Sequence, residues 1–186
     1  MKIYIIGIGL IGGSFAMEMR KLFQKSTIIG IDKSENNLNK AHELGIIDKK
    51  SCLSEISNAD IILVSVPVKS IINLLPNILD KVNKNTLVID FGSTKNSICN
   101  VIKDHPNREN FLATHPIAGT EFSGPTAAHK GLFANKNIII CDKHRTNQSR
   151  LEIALKIFKS MKMKISYMNP DSHDKHIAYV SHLSHL

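Results

Sequence analysis

The chain lacks several features that would mark a secreted or membrane protein. It has no tryptophan, and its three cysteines, Cys52, Cys99 and Cys141, are widely spaced. An odd number of scattered cysteines favours reduced thiols over a disulfide framework. No apolar run approaches the roughly 20 residues that cross a bilayer, and the N-terminal segment has no signal-peptide architecture. We therefore expect a cytoplasmic protein that does not associate with membranes.

Acidic residues are also few. The 16 aspartates and glutamates are outnumbered by 24 lysines and arginines, which gives a net charge of +8. The basic residues are scattered, however, and they form no aromatic-studded stripe of the kind that binds nucleic acid. We expect no nucleic-acid partner, and we relate the charge to small anionic ligands and a lysine-rich background. A chain of 186 residues can bury one sizeable core but is too short for two full domains.

Short apolar segments alternate with helical patterns along the chain. The predicted strands are 2–7, 27–31, 60–66, 86–90, 111–113, 136–141 and 164–168. The predicted helices are 11–24, 34–44, 69–80, 95–104, 147–162 and 171–186. Such alternation implies right-handed crossovers and an α/β fold with a doubly wound, mainly parallel sheet. Ligands of these sheets bind at the carboxyl ends of the strands, so candidate site residues are sought there.

A glycine-rich turn follows the first predicted strand. Gly7 permits the tight turn, Gly9 lets a pyrophosphate approach the backbone, and Gly12 allows the next helix to pack on the strand. The second strand ends in Asp32, twenty residues after Gly12. A carboxylate there accepts hydrogen bonds from ribose hydroxyls and repels a 2′-phosphate. Together these residues predict a Rossmann-type domain that binds NAD in preference to NADP.

Four further residues are candidates for binding the same cofactor. Leu10 and Ile11 lie in the turn that opens the first helix, whose free N–H groups favour a phosphate. Ser65 and Pro67 follow the third predicted strand. Lys33 and Ser34 could partly accommodate a 2′-phosphate, so the preference for NAD is expected to be incomplete.

A histidine stands where the strand predicted at 111–113 ends. His115 is followed by a segment rich in residues that fix turns and exchange protons, and imidazole titrates close to neutrality. This placement beside the predicted nicotinamide favours a role in proton transfer over a structural role. Ser93 follows the fourth strand, and on spacing alone it caps the helix predicted at 95–104.

Four motifs taken together resemble the prephenate dehydrogenase family, which includes arogenate and cyclohexadienyl dehydrogenases. They are Gly7-x-Gly9-Leu-Ile-Gly-Gly-Ser14, Asp90-x-Gly-Ser-x-Lys95, Thr114-His-Pro-Ile-Ala-Gly-Thr-Glu-x-Ser-Gly124 and Val180-Ser-His-Leu-x-His185. The resemblance implies oxidative decarboxylation of prephenate to 4-hydroxyphenylpyruvate in tyrosine biosynthesis, with hydride transfer to NAD. Arogenate dehydrogenase and a non-catalytic NAD-binding module remain the alternatives.

The resemblance also implies roles for individual residues. His115 would accept the proton of the ring hydroxyl as hydride leaves, and Ser93 would orient this histidine and touch the substrate. The remaining substrate-binding residues would be Thr120, Glu121, Ser181, His182 and His185.

Members of this family carry a further helical domain that forms the dimer and supplies an arginine for a substrate carboxylate. We expect residues 1–169 to form the dinucleotide-binding domain and residues 170–186 to be the truncated start of the helical domain. The full-length parent is then expected to be a homodimer, whereas the chain by itself is expected to be poorly active.

Four histidines near the C-terminus invite a metal-site interpretation. If 171–186 are helical, His173, His176, His182 and His185 form two separated pairs around the helix axis. One ion could not bind all four, so no metal site is predicted. Tyr179 lies on a different, apolar stripe of the same helix and would lack a packing partner in a lone chain.

Overall fold

The structure is a computed structural model that describes residues 1–183, with side chains described as far as Tyr179. The strands are β1 Lys2–Ile6, β2 Thr27–Ile31, β3 Lys49–Lys50, β4 Ile61–Val64, β5 Leu87–Asp90, β6 Phe111–Pro116, β7 Asn137–Cys141 and β8 Lys164–Met168. The helices are α1 Leu10–Leu22, α2 Glu35–Glu43, α3 Val68–Lys81, α4 Asn96–Val101, α5 Gln148–Ser160 and α6 Pro170–Leu183.

All eight strands join one sheet in the order β3-β2-β1-β4-β5-β6-β7-β8. The strands from β3 to β6 are mutually parallel. β7 runs antiparallel to β6, and β8 runs parallel to β7. This confirms the expected doubly wound, mainly parallel sheet. The chain leaves β1 in opposite directions on its two sides, toward β2 and toward β4, so a crevice opens at the carboxyl end of β1.

Helices cover both faces of the sheet because the strand side chains alternate between two apolar layers. Ile3 and Ile5 of β1 pack in the layer that contains Phe15 of α1. Tyr4 of the same strand packs in the opposite layer with Leu75 of α3. Both layers are almost completely buried, as expected for strands of a parallel sheet between helices.

The ends of several elements shift by up to three residues; for example, the helix predicted at 95–104 ends at Val101 and the strand predicted at 60–66 ends at Val64. Two further differences concern β3 and β6. β3 was not predicted, because it consists of two exposed lysines; it forms where Lys49 and Lys50 pair with Ile29 and Gly30 of β2. The strand predicted at 111–113 extends to Pro116 in β6. Its last residues pair with β7, which runs antiparallel beside it, so the extension depends on a distant segment.

The last helix begins at Pro170, as predicted to within one residue, and it is described to Leu183. The residues predicted to continue it, 184–186, lie outside the described part of the chain. Tyr179 is 70% exposed, so little of its ring packs against the described residues. Among the helices of residues 1–183, none combines the length and apolar character needed to cross a membrane.

Candidate active site

Steric contacts require glycine at two positions of the turn after β1. Gly7 has φ +93°, and a Cβ there would lie 2.6 Å from the carbonyl oxygen of Ser65. A Cβ on Gly12 would overlap the carbonyl oxygen of Gly7 and lie 2.5 Å from Oγ of Ser65. These contacts press the start of α1 against the ends of β1 and β4. The turn is therefore closed on the protein side.

The opposite side of the turn is open. A Cβ built on Gly9 would meet no atom of the described residues within 4 Å. Gly9 precedes α1, and Leu10 and Ile11 form its first turn. Backbone N–H groups in the first turn of a helix have no acceptor within the helix, and they attract anions. This open face fits the pyrophosphate of a dinucleotide.

Asp32 stands at the end of β2 beside this turn. Its Oδ2 accepts a hydrogen bond of 2.8 Å from the backbone N–H of Ile8, and its Oδ1 accepts one of 2.8 Å from Ser34 N–H. Each carboxylate oxygen has two lone pairs, so each retains one for a further donor. The carboxylate is thus fixed in position and still able to bind the two hydroxyls of a ribose.

A cavity of about 730 Å³ connects the glycine turn to Asp32. Ser65 and Pro67 border it, and Oγ of Ser65 donates a 2.8 Å hydrogen bond to the carbonyl oxygen of Gly7. Ser65 therefore braces the turn as well as lining the cavity. Four segments that the sequence reasoning did not assign also line it: Asn37, residues 51–53, Ser70 with Leu74, and Ser123 with Gly124. Small polar and apolar side chains of this kind fit an adenosine.

His115 lies on β6, at the carboxyl edge of the same sheet. It is half-buried, and it lines a second cavity of about 420 Å³. The other lining residues are Pro116, Ile117, Ala118, Gly119, Lys136 and Ile177. The cavity therefore presents one imidazole and one cation within a largely apolar wall.

The imidazole of His115 is hydrogen-bonded to a second, fully buried histidine. Nδ1 of His115 lies 3.0 Å from Nε2 of His173, and Nδ1 of His173 lies 2.7 Å from Oδ1 of Asp174. Asp174 also accepts hydrogen bonds from the backbone N–H groups of Lys95, at 2.7 Å, and Asn96, at 2.9 Å. These contacts join α6, β6 and the start of α4.

The surroundings of His115 favour its neutral form. Burial, followed by the neighbouring His173 and the charge on Lys95, lowers the pKa of His115 to about 4, while the charge on Asp174 opposes this shift. The ring is therefore unprotonated near neutral pH, which is the state that a proton acceptor requires.

Residues 15–167 match the family model described as prephenate dehydrogenase, nucleotide-binding domain. The chain belongs to the prephenate dehydrogenase family. The glycine turn and the cavity beside Asp32 agree with the nucleotide-binding description, and the match extends through β6, where His115 lies.

Relatives of known name agree with this assignment. The prephenate dehydrogenase of Bacillus subtilis is 31% identical over 188 residues, which cover 99% of this chain and 51% of that protein. The arogenate dehydrogenase structure from Synechocystis has 28% identity and a TM-score of 0.85, covering 98% of this chain and 65% of that chain. The Aquifex aeolicus prephenate dehydrogenase in complex with hydroxyphenyl propionate and NAD+ has 28% identity and a TM-score of 0.83, covering 93% and 61%.

The chain spans about half the length of the curated prephenate dehydrogenases that it matches. The family assignment is therefore that of a nucleotide-binding domain, and the activity of a whole prephenate dehydrogenase extends beyond what this chain covers.

Among the described residues, the substrate-side residues suggested by the prephenate dehydrogenase motifs make no hydrogen bond to the ring of His115. Ser93 is exposed, and among the described side chains the partner of His115 Nδ1 is His173 rather than Ser93. Thr120 and Glu121 lie in an exposed loop between the residues of the two cavities. The side chains of Ser181 and His182, and all of His185, lie outside the described part of the chain.

Sequence reasoning weighed His173 as a metal ligand, rejected that role and assigned it no role in the site, and it did not consider Asp174. The signal available was an adjacent His-Asp pair near the start of a predicted helix, which by itself does not indicate contact with a residue 58 positions away. Within the described residues there is no group of three or more His, Cys, Asp or Glu side chains arranged to hold a metal ion.

Proposed function

We propose that this chain is the NAD-binding part of a cytoplasmic, homodimeric enzyme that oxidatively decarboxylates prephenate in tyrosine biosynthesis. The observation that carries the proposal is the position of His115. A neutral, half-buried imidazole lies at the same sheet edge as the glycine turn and Asp32. A protein that only sensed NAD would not need a proton acceptor there.

Different residues of the cavity bind different parts of NAD. The open face of Gly9, with the N–H groups of Leu10 and Ile11, holds the pyrophosphate, while Asp32 binds the adenosine ribose. Gly7, Gly12 and Ser65 maintain the turn through the contacts described above. Bound NAD supplies the hydride acceptor.

In the proposed reaction, His115 accepts the proton of the substrate's ring hydroxyl. Removal of this proton from the oxygen allows hydride to leave the carbon that bears the hydroxyl, and a positioned imidazole accelerates such a step typically by 10²–10⁴-fold. Loss of carbon dioxide then makes the ring aromatic, so that step needs little help from the protein. The proposed step uses the imidazole of His115 and NAD, and it requires no metal ion.

Prephenate carries two carboxylates, and Lys136 contributes a positive charge to the cavity of His115. Ser93, Thr120, Glu121, Ser181, His182 and His185 are retained as proposed substrate contacts on the basis of the family motifs. Arogenate is the alternative substrate. We also retain the division into a dinucleotide-binding domain, 1–169, and the start of a helical domain, 170–186.

The test has two parts. Calorimetry of this chain with NAD measures cofactor binding, and the absence of binding would contradict the assignment of the cavity. The longer protein that carries this chain is then assayed for NADH formation with prephenate and with arogenate. Faster turnover of arogenate would identify the alternative enzyme, and NAD binding without turnover of either substrate would indicate a non-catalytic module.

A further inference from the structure

The contacts behind His115 identify Asp174 as a hydrogen-bond acceptor. Both carboxylate oxygens of Asp174 accept backbone N–H groups, from Lys95 and Asn96. Partial burial of Asp174 works in the other direction, but the hydrogen bonds from Asn96, His173 and Lys95 lower the pKa of its carboxyl group. Asp174 is therefore ionised at neutral pH and acts only as an acceptor.

An ionised Asp174 places a proton on the nitrogen of His173 that faces it. Because the carboxylate accepts, Nδ1 of His173 carries the proton of the 2.7 Å hydrogen bond. In the arrangement proposed below, the second ring nitrogen of His173, Nε2, has a lone pair, which accepts from Nδ1 of His115 at 3.0 Å. His115 in turn carries its proton on Nδ1 and has its lone pair on Nε2.

We infer that His173 and Asp174 are positioning residues that hold His115 in the tautomer whose Nε2 accepts a proton. The inference rests on the proposed function, in which His115 is the proton acceptor. When a proton reaches Nε2, the ring of His115 becomes positively charged while Nδ1 continues to donate to His173. The Asp174 carboxylate stabilises this charge through His173, as in other sites where a carboxylate orients a catalytic imidazole.

Packing restricts this arrangement to one geometry. His173 is fully buried, and its ring meets that of His115 edge to face, with centroids 5.1 Å apart and an interplanar angle of 71°. Rotation of either ring would leave a buried nitrogen without a partner, which is unfavourable. Asp174 is held by two main-chain groups at the start of α4, so the chain of contacts ends on rigid backbone.

Four charged or titratable groups lie on the elements around His115. His173 and Asp174 lie on α6, Lys95 precedes α4, and Lys136 borders the cavity next to β7. Of these, Asp174 is the negative one. Removing its charge destabilises the protonated ring, so the pKa of His115 should fall.

The first test is nitrogen NMR of this chain with isotope-labelled histidine, comparing the unaltered chain with Asp174→Asn. In the unaltered chain, the spectrum at neutral pH should show that Nδ1 of His115 is protonated and that Nε2 is unprotonated. In Asp174→Asn, the two tautomers of His115 should mix and its pKa should fall. Asp171→Asn is the matched control, because Asp171 lies on the same helix but pairs with exposed Lys175 at 2.7 Å; it should change neither.

A second variant separates positioning from loss of the α4 contact. His173→Gln removes the ring but leaves Asp174 to accept from Lys95 and Asn96, and it too should mix the tautomers of His115. His176→Gln, at an exposed position on the same helix, is its control. NAD affinity should stay within about twofold in all four variants, because none touches the glycine turn.

The outcomes are distinguishable from failure of the proposed function. An unprotonated Nδ1 on His115 in the unaltered chain would overturn the positioning role even if NAD binds. An unchanged tautomer of His115 in both Asp174→Asn and His173→Gln would overturn it as well. Absence of NAD binding in the unaltered chain would instead contradict the proposed function.

In the longer protein, Asp174→Asn should lower kcat at least about 10-fold with little change in KM, within the range of a general base. An unchanged kcat there would also overturn the inference.

Discussion

Lys95 binds the main chain at Thr114, the residue that precedes His115. Its ammonium group donates to the carbonyl oxygen of Thr114 at 2.7 Å and pairs with the carboxylate of Asp90, with both side chains fully buried. Asp90 in turn accepts the backbone N–H of Thr114 at 3.1 Å. The ends of β5 and β6 are thereby joined, and the backbone that presents His115 is held against β5.

We predict that Lys95→Met destabilises the fold strongly. The change leaves Asp90 as a buried carboxylate without its cation, and breaking such a pair lowers the free energy of unfolding by about 3–5 kcal/mol. Lys50→Met is the control, since Lys50 makes an exposed ion pair with Glu35; it should cost less than about 1 kcal/mol. Urea denaturation measures both, and equal losses would contradict a special role for the buried pair.

Two glycine substitutions should separate stability from cofactor binding. Gly9→Ala adds a methyl group to open space, so the free energy of unfolding should change by less than about 1 kcal/mol. NAD should nevertheless bind at least tenfold more weakly, because the methyl group occupies the space through which the pyrophosphate approaches the backbone. Gly12→Ala should instead destabilise the fold, since its Cβ would overlap the Gly7 carbonyl. Calorimetry and thermal unfolding give the two readouts. Normal NAD affinity in Gly9→Ala would place the phosphates elsewhere.

Asp32 should determine the choice between NAD and NADP. In the unaltered chain NAD should bind more tightly, because the Asp32 carboxylate repels a 2′-phosphate. Asp32→Ser removes the charge and should narrow the difference between the two affinities. Asp104→Ser, an exposed position outside the cavity residues, should leave the difference unchanged. Equal affinities for the two cofactors in the unaltered chain would show that Asp32 does not act this way.

His115→Asn should separate binding from chemistry in the longer protein. Asparagine can still hydrogen-bond the substrate hydroxyl, but it cannot accept the proton, so kcat should fall by at least about 10² while NAD affinity is kept. Ser93→Ala should cost less, because His173 rather than Ser93 contacts His115 in the structure. Steady-state kinetics and calorimetry check both variants. Near-normal turnover of His115→Asn would remove the general-base role.

The low pKa of His115 should also appear in the pH dependence of stability. The pKa is about 4 in the folded chain, against 6.5 for an unperturbed histidine. Between these values the unfolded chain binds more protons, so stability should fall as the pH is lowered from about 6.5 to about 4. His115→Asn should make this part of the profile flatter. A profile of the same steepness would mean that His115 is not the residue responsible.

Much of the fold was predictable because its signals are local. The glycines at 7, 9 and 12 act within one turn, and Asp32 is placed by the length of a single strand-helix-strand unit. Strands such as β4 and β5 can be recognised from their runs of apolar residues, which are typical of strands buried on both faces. For the same reason β3 could not be predicted, since its two lysines carry no apolar pattern and pair only because β2 lies beside them.

The sequence by itself determined the doubly wound fold, the nucleotide turn and the position of His115 at a strand end. Only the tertiary structure decided what lies behind that histidine. His173 and His115 are 58 residues apart, and no periodicity links them. They meet because α6 is held at the start of α4 through Asp174, while Lys95 ties the adjoining backbone to β6. Local patterns specify strands, helices and turns, but contacts between distant side chains depend on how those elements pack.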